Sequence, residues 1–437
     1  MFKNSRAGGV VGVVLCVVAV FWSPSAKHNP LMPGAQAQSK SPAPAAARWR
    51  KMPLLSPEAK KAGISPGGEG GQWPRGGVAV GPADPDFLLL PIDVGGLYRS
   101  LDGGRNWEMA LVGWNARGAN GFAMDPRNPN RVLGIAGNSL NWKAEWGQTP
   151  HGVYLSTNKA ASWKQTLSSP DGMGGAVAYE PVSFDAARGY CAVAYYASHT
   201  QGLFRTSDGG ATWQKVSDQP IGMEPEPNAK VTLACHPARR GTVYLGGKTG
   251  LFKSEDAGTT FRKVRGGEVR GLAVVPSLPD DVFVSGSEGI LRSTDAGQTF
   301  APLAAAGLDR LDGKPVRDLA VSPADPNRIG CWVSGDKWKW TRYVSHDGGS
   351  TFQTVTTNSQ NAILPQNSRQ GYITWHPSEP KVSWNLGGDW VTKSTDGGRT
   401  FLWSANGYNG VMLGGMFSFS AHAPGVVFLA FQDYNGA

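Results

Sequence analysis

Two aspartates follow similar apolar runs, in Leu88-Leu-Leu-Pro-Ile-Asp93-Val-Gly-Gly and Phe428-Leu-Ala-Phe-Gln-Asp433-Tyr-Asn-Gly, and alignment of the runs makes them equivalent. A carboxylate at such a strand end either caps the turn by accepting backbone N–H bonds or is presented to a substrate as general acid or base. For Asp93 the residue pattern leaves both readings open. Two insertions carry paired indoles, Trp142 and Trp146 in one and Trp338 and Trp340 in the other. Exposed indole pairs offer flat apolar faces on which sugar rings stack; the alternative is packing along the rim of the fold.

The elements that must position these groups are announced by a repeated turn. Seven segments fit S-x-D-x-G-x-T-W/F, the Asp box, with third residues Asp102, Asn158, Asp208, Asp256, Asp295, Asp347 and Asp396. Successive intervals are 56, 50, 48, 39, 52 and 49 residues, close to the length of a four-stranded propeller blade. Around each box, alternating apolar residues are broken by Gly, Pro and Asp, as in the blade containing Gly271–Pro276, Asp281–Gly286, Gly289–Arg292 and Thr299–Leu303. The predicted class is all-β, a seven-bladed propeller over residues 70–410. Each box reads as structural: the Asp accepts turn N–H bonds, the Gly supplies positive φ, and the aromatic fills a hydrophobic gap. In the second box Asn158 replaces Asp and Ala160 replaces Gly, which predicts a looser turn.

Strand direction alternates within a blade, so the first-to-second and third-to-fourth connections share one face of the ring. The second-to-third and blade-to-blade connections share the other. The boxes occupy the first face. Asp93 and both tryptophan insertions fall in second-to-third connections, so ligand chemistry is expected on the second face.

Residues 1–37 read as a signal peptide: Lys3 and Arg6 precede the apolar run Gly8 to Trp22, and Ala35-Gln36-Ala37 is a small-residue cleavage site. The alternative is an uncleaved anchor, and either way the propeller is secreted or periplasmic. Residues 38–69, rich in Pro, Ala and Lys, read as a linker. The formal net charge is +9, yet residues 1–61 hold nine Lys or Arg against Glu58 alone, or +8. The propeller is therefore nearly neutral, and nucleic acid is excluded as the partner its charge implies. Cys191, Cys235 and Cys331 lie in apolar strands and read as buried free thiols. His236-Pro237 and His376-Pro377 stand where other repeats have Asp125-Pro126 or Ser322-Pro323, which marks a turn. No metal and no cofactor is expected.

After the seventh box, residues 411–437 begin the repeat again as half a blade, the start of a second propeller. The segments Gly70-Gly-Gln-Trp-Pro-Arg-Gly-Gly-Val-Ala-Val-Gly-Pro and Ile92-Asp-Val-Gly-Gly-Leu-Tyr-Arg-Ser100 resemble the opening of glycoside hydrolase family 74. That resemblance implies an inverting endo-β-glucanase or xyloglucanase built from two seven-bladed propellers, with one Asp from each facing across a cleft. It assigns Asp93 as the general base and Asp433 as the acid, with β-glucan as the partner and a second propeller segment completing the site. The Asp433 segment departs from the family's Asp-Ile-Gly-Gly pattern. The alternative is a non-catalytic secreted Asp-box propeller serving as a binding or assembly module. A sialidase would require an arginine cluster and an N-terminal Arg-Ile-Pro motif, and the motif does not occur.

Overall fold

A computed structural model of the chain describes residues 77–92, 96–116, 118–137, 151–169, 175–218, 231–308, 314–334, 340–357, 371–387, 390–407, 418–419 and 427–428. They form seven blades in chain order, six of them antiparallel four-stranded sheets and the seventh carrying a fifth strand; the strands of each blade are consecutive except in blade 3, where a two-stranded hairpin intervenes between the first and the second. Blade 1 comprises Ala79–Val80, Leu88–Pro91, Leu97–Ser100 and Glu108–Met109; blade 5 comprises Gly271–Val275, Leu278–Gly286, Gly289–Ser293 and Ala301–Pro302. Blade 7 is widened by Thr356–Thr357, which runs parallel to its outermost strand Thr400–Trp403. The fold is an all-β, seven-bladed propeller. The proposed leader at 1–37 and linker at 38–69 lie outside the described residues. Within 411–437, Ser418–Phe419 pairs with Val427–Phe428 as a separate two-stranded sheet.

Burial follows position within a blade. The second strands Leu88–Pro91, Val132–Ala136, Ala194–Ser198 and Val243–Gly247 are buried at every residue. Both faces of those strands pack against neighbouring blades, so their sequences read as continuous small and apolar runs. Fourth strands such as Glu108–Met109, at the outer edge of the ring, are exposed and polar or mixed. Cys191, Cys235 and Cys331 are buried free thiols.

The boxes join each blade to the preceding one. In blade 1, Ser100 Oγ donates to Asp102 Oδ1 at 2.8 Å and accepts from Gly104 N–H at 2.9 Å, while Asp102 Oδ1 accepts from Asn106 N–H at 2.9 Å. The box aromatic then crosses the seam. Trp163 Nε1 donates to Ala110 O of blade 1 at 2.9 Å, Trp213 Nε1 to Thr166 Oγ1 of blade 2 at 3.1 Å, and Trp107 Nε1 to Ser404 O of blade 7 at 2.7 Å.

The second box is not looser than the others. Ala160 N–H reaches Ser156 Oγ at 2.9 Å and Ser162 N–H reaches Asn158 Oδ1 at 2.9 Å, reproducing the blade 1 distances. The amide oxygen of Asn158 accepts as a carboxylate does, and its Nδ2 donates to Ser162 Oγ at 2.8 Å. The substitution is carried by the backbone: Lys159 and Ala160 take φ of 52° and 59°, a left-handed conformation costing a non-glycine residue about 1–2 kcal/mol.

Candidate functional site

On the face opposite the boxes, the base of the Asp93 connection is stitched on both sides. Ile92, fully buried, donates its N–H to Gly96 O at 2.9 Å and accepts from Ala119 N–H of blade 2 at 2.8 Å. Gly96 holds φ of 85°, a conformation that favours glycine, and a Cβ there would stand 2.4 Å from the Leu111 Cδ2 methyl, which would have to move aside. Asp93 itself lies outside the described residues, as do Trp142, Trp146, Trp338 and Asp433. The connection carrying Trp142 and Trp146 leaves the sheet where Ala136 pairs with Gly152. Trp340 opens the third strand of blade 6, its backbone paired with Ser334, and its side chain is also outside the described residues. These pairings put the bases of all three connections at the end of their blades opposite the boxes.

On the box face, the turn equivalence of the His-Pro, Asp-Pro and Ser-Pro segments has one mechanism. Asp125 Oδ1 accepts from Arg127 and Asn128 N–H, His236 Nδ1 from Ala238 and Arg239 N–H, His376 Nδ1 from Ser378 and Glu379 N–H, and Ser322 Oγ from Asp325 N–H. Any side chain offering an acceptor at that point caps the turn. Burial pushes both imidazoles below their ordinary pKa, which favours the neutral ring whose Nδ1 lone pair accepts these bonds. These histidines are turn caps.

A third group of residues was not singled out from the sequence. The inner strands surround a central cavity of about 360 Å³ whose lining includes Arg270, Arg317, Asp318, Trp332 and Tyr372. Asp318 adopts φ of 51° at a β-bulge between Arg317 and Leu319. The Arg317 guanidinium lies 5.7 Å from the Trp332 ring centroid, and Trp332 meets Tyr372 edge-on at 6.3 Å. The legible signal was the adjacent charge pair inside an apolar strand, Val316-Arg-Asp-Leu-Ala-Val321. Nothing in the sequence reveals the bulge that places it on the cavity wall.

No family model matches the chain. Among curated proteins, a xyloglucanase of a Paenibacillus species is 29% identical over 154 residues, 33% of this chain and 14% of that enzyme. A xyloglucanase of Hypocrea jecorina is 28% identical over 186 residues, 40% of this chain and 20% of that enzyme. Over those stretches the chain is similar to xyloglucanases. The crystal structure of the family 74 xyloglucanase from Xanthomonas campestris superposes with a TM-score of 0.68 at 19% identity, covering 85% of this chain and 59% of that one. The structural likeness carries the propeller fold, in agreement with the family 74 resemblance of the Asp93 segment. The matched stretches are thus a fifth or less of the curated relatives' lengths, and the chain spans well under two thirds of the solved xyloglucanase.

Proposed function

We propose that this chain is an exported xyloglucan-directed glycoside hydrolase, in which Asp93 serves as general base and Asp433, opening a second propeller, serves as general acid. The observation that carries the reading is the similarity to curated xyloglucanases, taken with the Asp93 connection anchored on the face opposite the boxes. In an inverting step the acid protonates the glycosidic oxygen while the base removes a proton from water. That water attacks the anomeric carbon from the opposite side as the glycosidic bond breaks. The two carboxyl groups must stand roughly 6.5–9.5 Å apart to admit it. Trp142, Trp146, Trp338 and Trp340 supply stacking surfaces for backbone glucosyl units. The exported chain begins at Gln38, which N-terminal sequencing of the secreted protein checks.

A reducing-sugar assay on xyloglucan and cellulose tests the chemistry. Xyloglucan is hydrolysed, Asp93→Asn and Asp433→Asn each lower kcat by at least about 100-fold without loss of folding, and Trp142→Ala weakens glucan binding by about 1–2 kcal/mol. Hydrolysis indifferent to Asp93→Asn removes Asp93 from the mechanism. Tight glucan binding by a folded chain with no hydrolysis converts the reading to that of a binding module.

A further inference from the structure

The central cavity holds a buried cation with donors to spare. Arg270 immediately precedes the innermost strand of blade 5, Gly271–Val275, at the end opposite the boxes, and its side chain is only 12% exposed. Its Nη2 pairs with Glu268 Oε1 at 2.5 Å, whereas Nε and Nη1 are buried without a hydrogen-bond acceptor. Unsatisfied guanidinium donors inside a cavity are costly, and an incoming oxygen ligand relieves that cost. Arg317 and Asp318 come from the adjacent inner strand of blade 6, and close contact fixes the two strands together: a Cβ on Gly271 would stand 2.7 Å from Leu319 Cβ. The cavity therefore presents two guanidinium groups, one carboxylate and the aromatic walls of Trp332 and Tyr372, in a volume within the range of small-molecule sites.

We propose that this cavity binds a small hydroxylated carboxylate of the uronic acid type, its carboxylate held by Arg270 and Arg317 and its hydroxyl groups donating to Asp318. The mixed charge selects this class. A bare tetrahedral anion such as sulfate meets the Asp318 carboxylate with no hydrogen to offer it. A neutral sugar brings only neutral hydroxyl acceptors to Arg270, where a carboxylate makes the stronger charge-assisted bonds. The proposed contacts do not involve Asp93 and do not depend on glucan hydrolysis.

Calorimetric titration of the full chain with sodium glucuronate, beside glucose and sodium sulfate at equal ionic strength, tests the site. Glucuronate binds at least tenfold more tightly than either control, and Arg270→Ala lowers its affinity at least tenfold while circular dichroism stays unchanged. If that variant does not fold, Arg270→Gln takes its place. The thermal midpoint of the unmodified chain supplies an independent reading, rising with glucuronate and not with glucose. Absence of glucuronate binding by the folded chain overturns the proposal, leaving water as the partner of Arg270. Equal affinity for sulfate overturns the acidic-sugar assignment, and full affinity in the Arg270 variant moves any binding elsewhere.

Discussion

Single side chains in the boxes are polarised by their own turns. Asp256 accepts from Thr260 Oγ1 at 2.6 Å, Thr260 N–H at 2.9 Å and Ser254 Oγ at 2.8 Å, and these bonds hold its pKa down to about 2. The hydroxyl and N–H of Thr351, with Ser345, hold Asp347 down to about 2 in the same way. Both values lie below the ordinary 3.8, so the folded state binds fewer protons than the unfolded chain through this interval. The stabilisation from these carboxylates is complete above pH 3.8 and is lost as pH falls toward 2. Thermal midpoints should thus decline below about pH 4 under the action of the boxes, and Asp256→Asn with Asp347→Asn should flatten that decline. Asn158 shows that an amide fits the turn. An acid limb unchanged in the double variant would assign the loss to other carboxylates.

At the scale of the element, the D-x-G spacing sets which turn position lies against the preceding blade, a position that is glycine in six boxes and Ala160 in the second. The position after the Asp tolerates alanine, as Ala257 and Ala296 show at φ of 61° and 57°. The next position lies against the preceding blade. A Cβ on Gly210, at φ of 98°, would stand 2.3 Å from Leu133 Cδ2 of blade 2. Gly210→Ala should therefore destabilise the fold by about 2–4 kcal/mol through backbone strain and overpacking, measured by urea denaturation. A loss below half a kcal/mol would show that the seam yields easily. The seven boxes and the strand order were legible because they depend on local turn chemistry and alternation. Less legible was the insertion in blade 3, where Phe184–Asp185 and Tyr190–Cys191 form an extra hairpin. Its partners come from another blade: Asp125 Oδ2 accepts from Cys191 N–H, and Arg131 lies 4.0 Å from the Tyr190 ring centroid. Such contacts depend on the closed ring and leave no local period to read. The strand order made legible the end of the blades from which the Asp93 and tryptophan connections leave. The central cavity was not legible, because the Asp318 bulge is a consequence of packing between inner strands.

Across the whole molecule, among the described residues the ring closes without a strand shared between its first and last blades, since the four sequential strands of blade 1 and of blade 7 each pair within their own sheet. Closure falls to the first box. Trp107 is 1% exposed, in a cluster joining Leu88, Leu90 and Tyr98 of blade 1 to Trp384 and Val391 of blade 7. Its N–H donates to Asn406 O at 2.8 Å, Ser404 Oγ donates to Gly104 O at 2.7 Å, and Lys393 Nζ donates to Gly103 O at 3.0 Å. Trp107→Ala removes the indole from that cluster and leaves the Ser404 carbonyl without its donor, a loss of about 3–5 kcal/mol. Where a shared strand would spread such damage through a hydrogen-bonded ladder, here it is confined to one seam. Hydrogen exchange should accordingly accelerate in the strands of blades 1 and 7 while Val243–Gly247 of blade 4, across the ring, keeps its protection. The ligand face would be affected through the same seam, because Ile92, at the base of the Asp93 connection, belongs to the Trp107 cluster. Uniform acceleration over all seven blades would instead mean that the ring opens as a single cooperative unit.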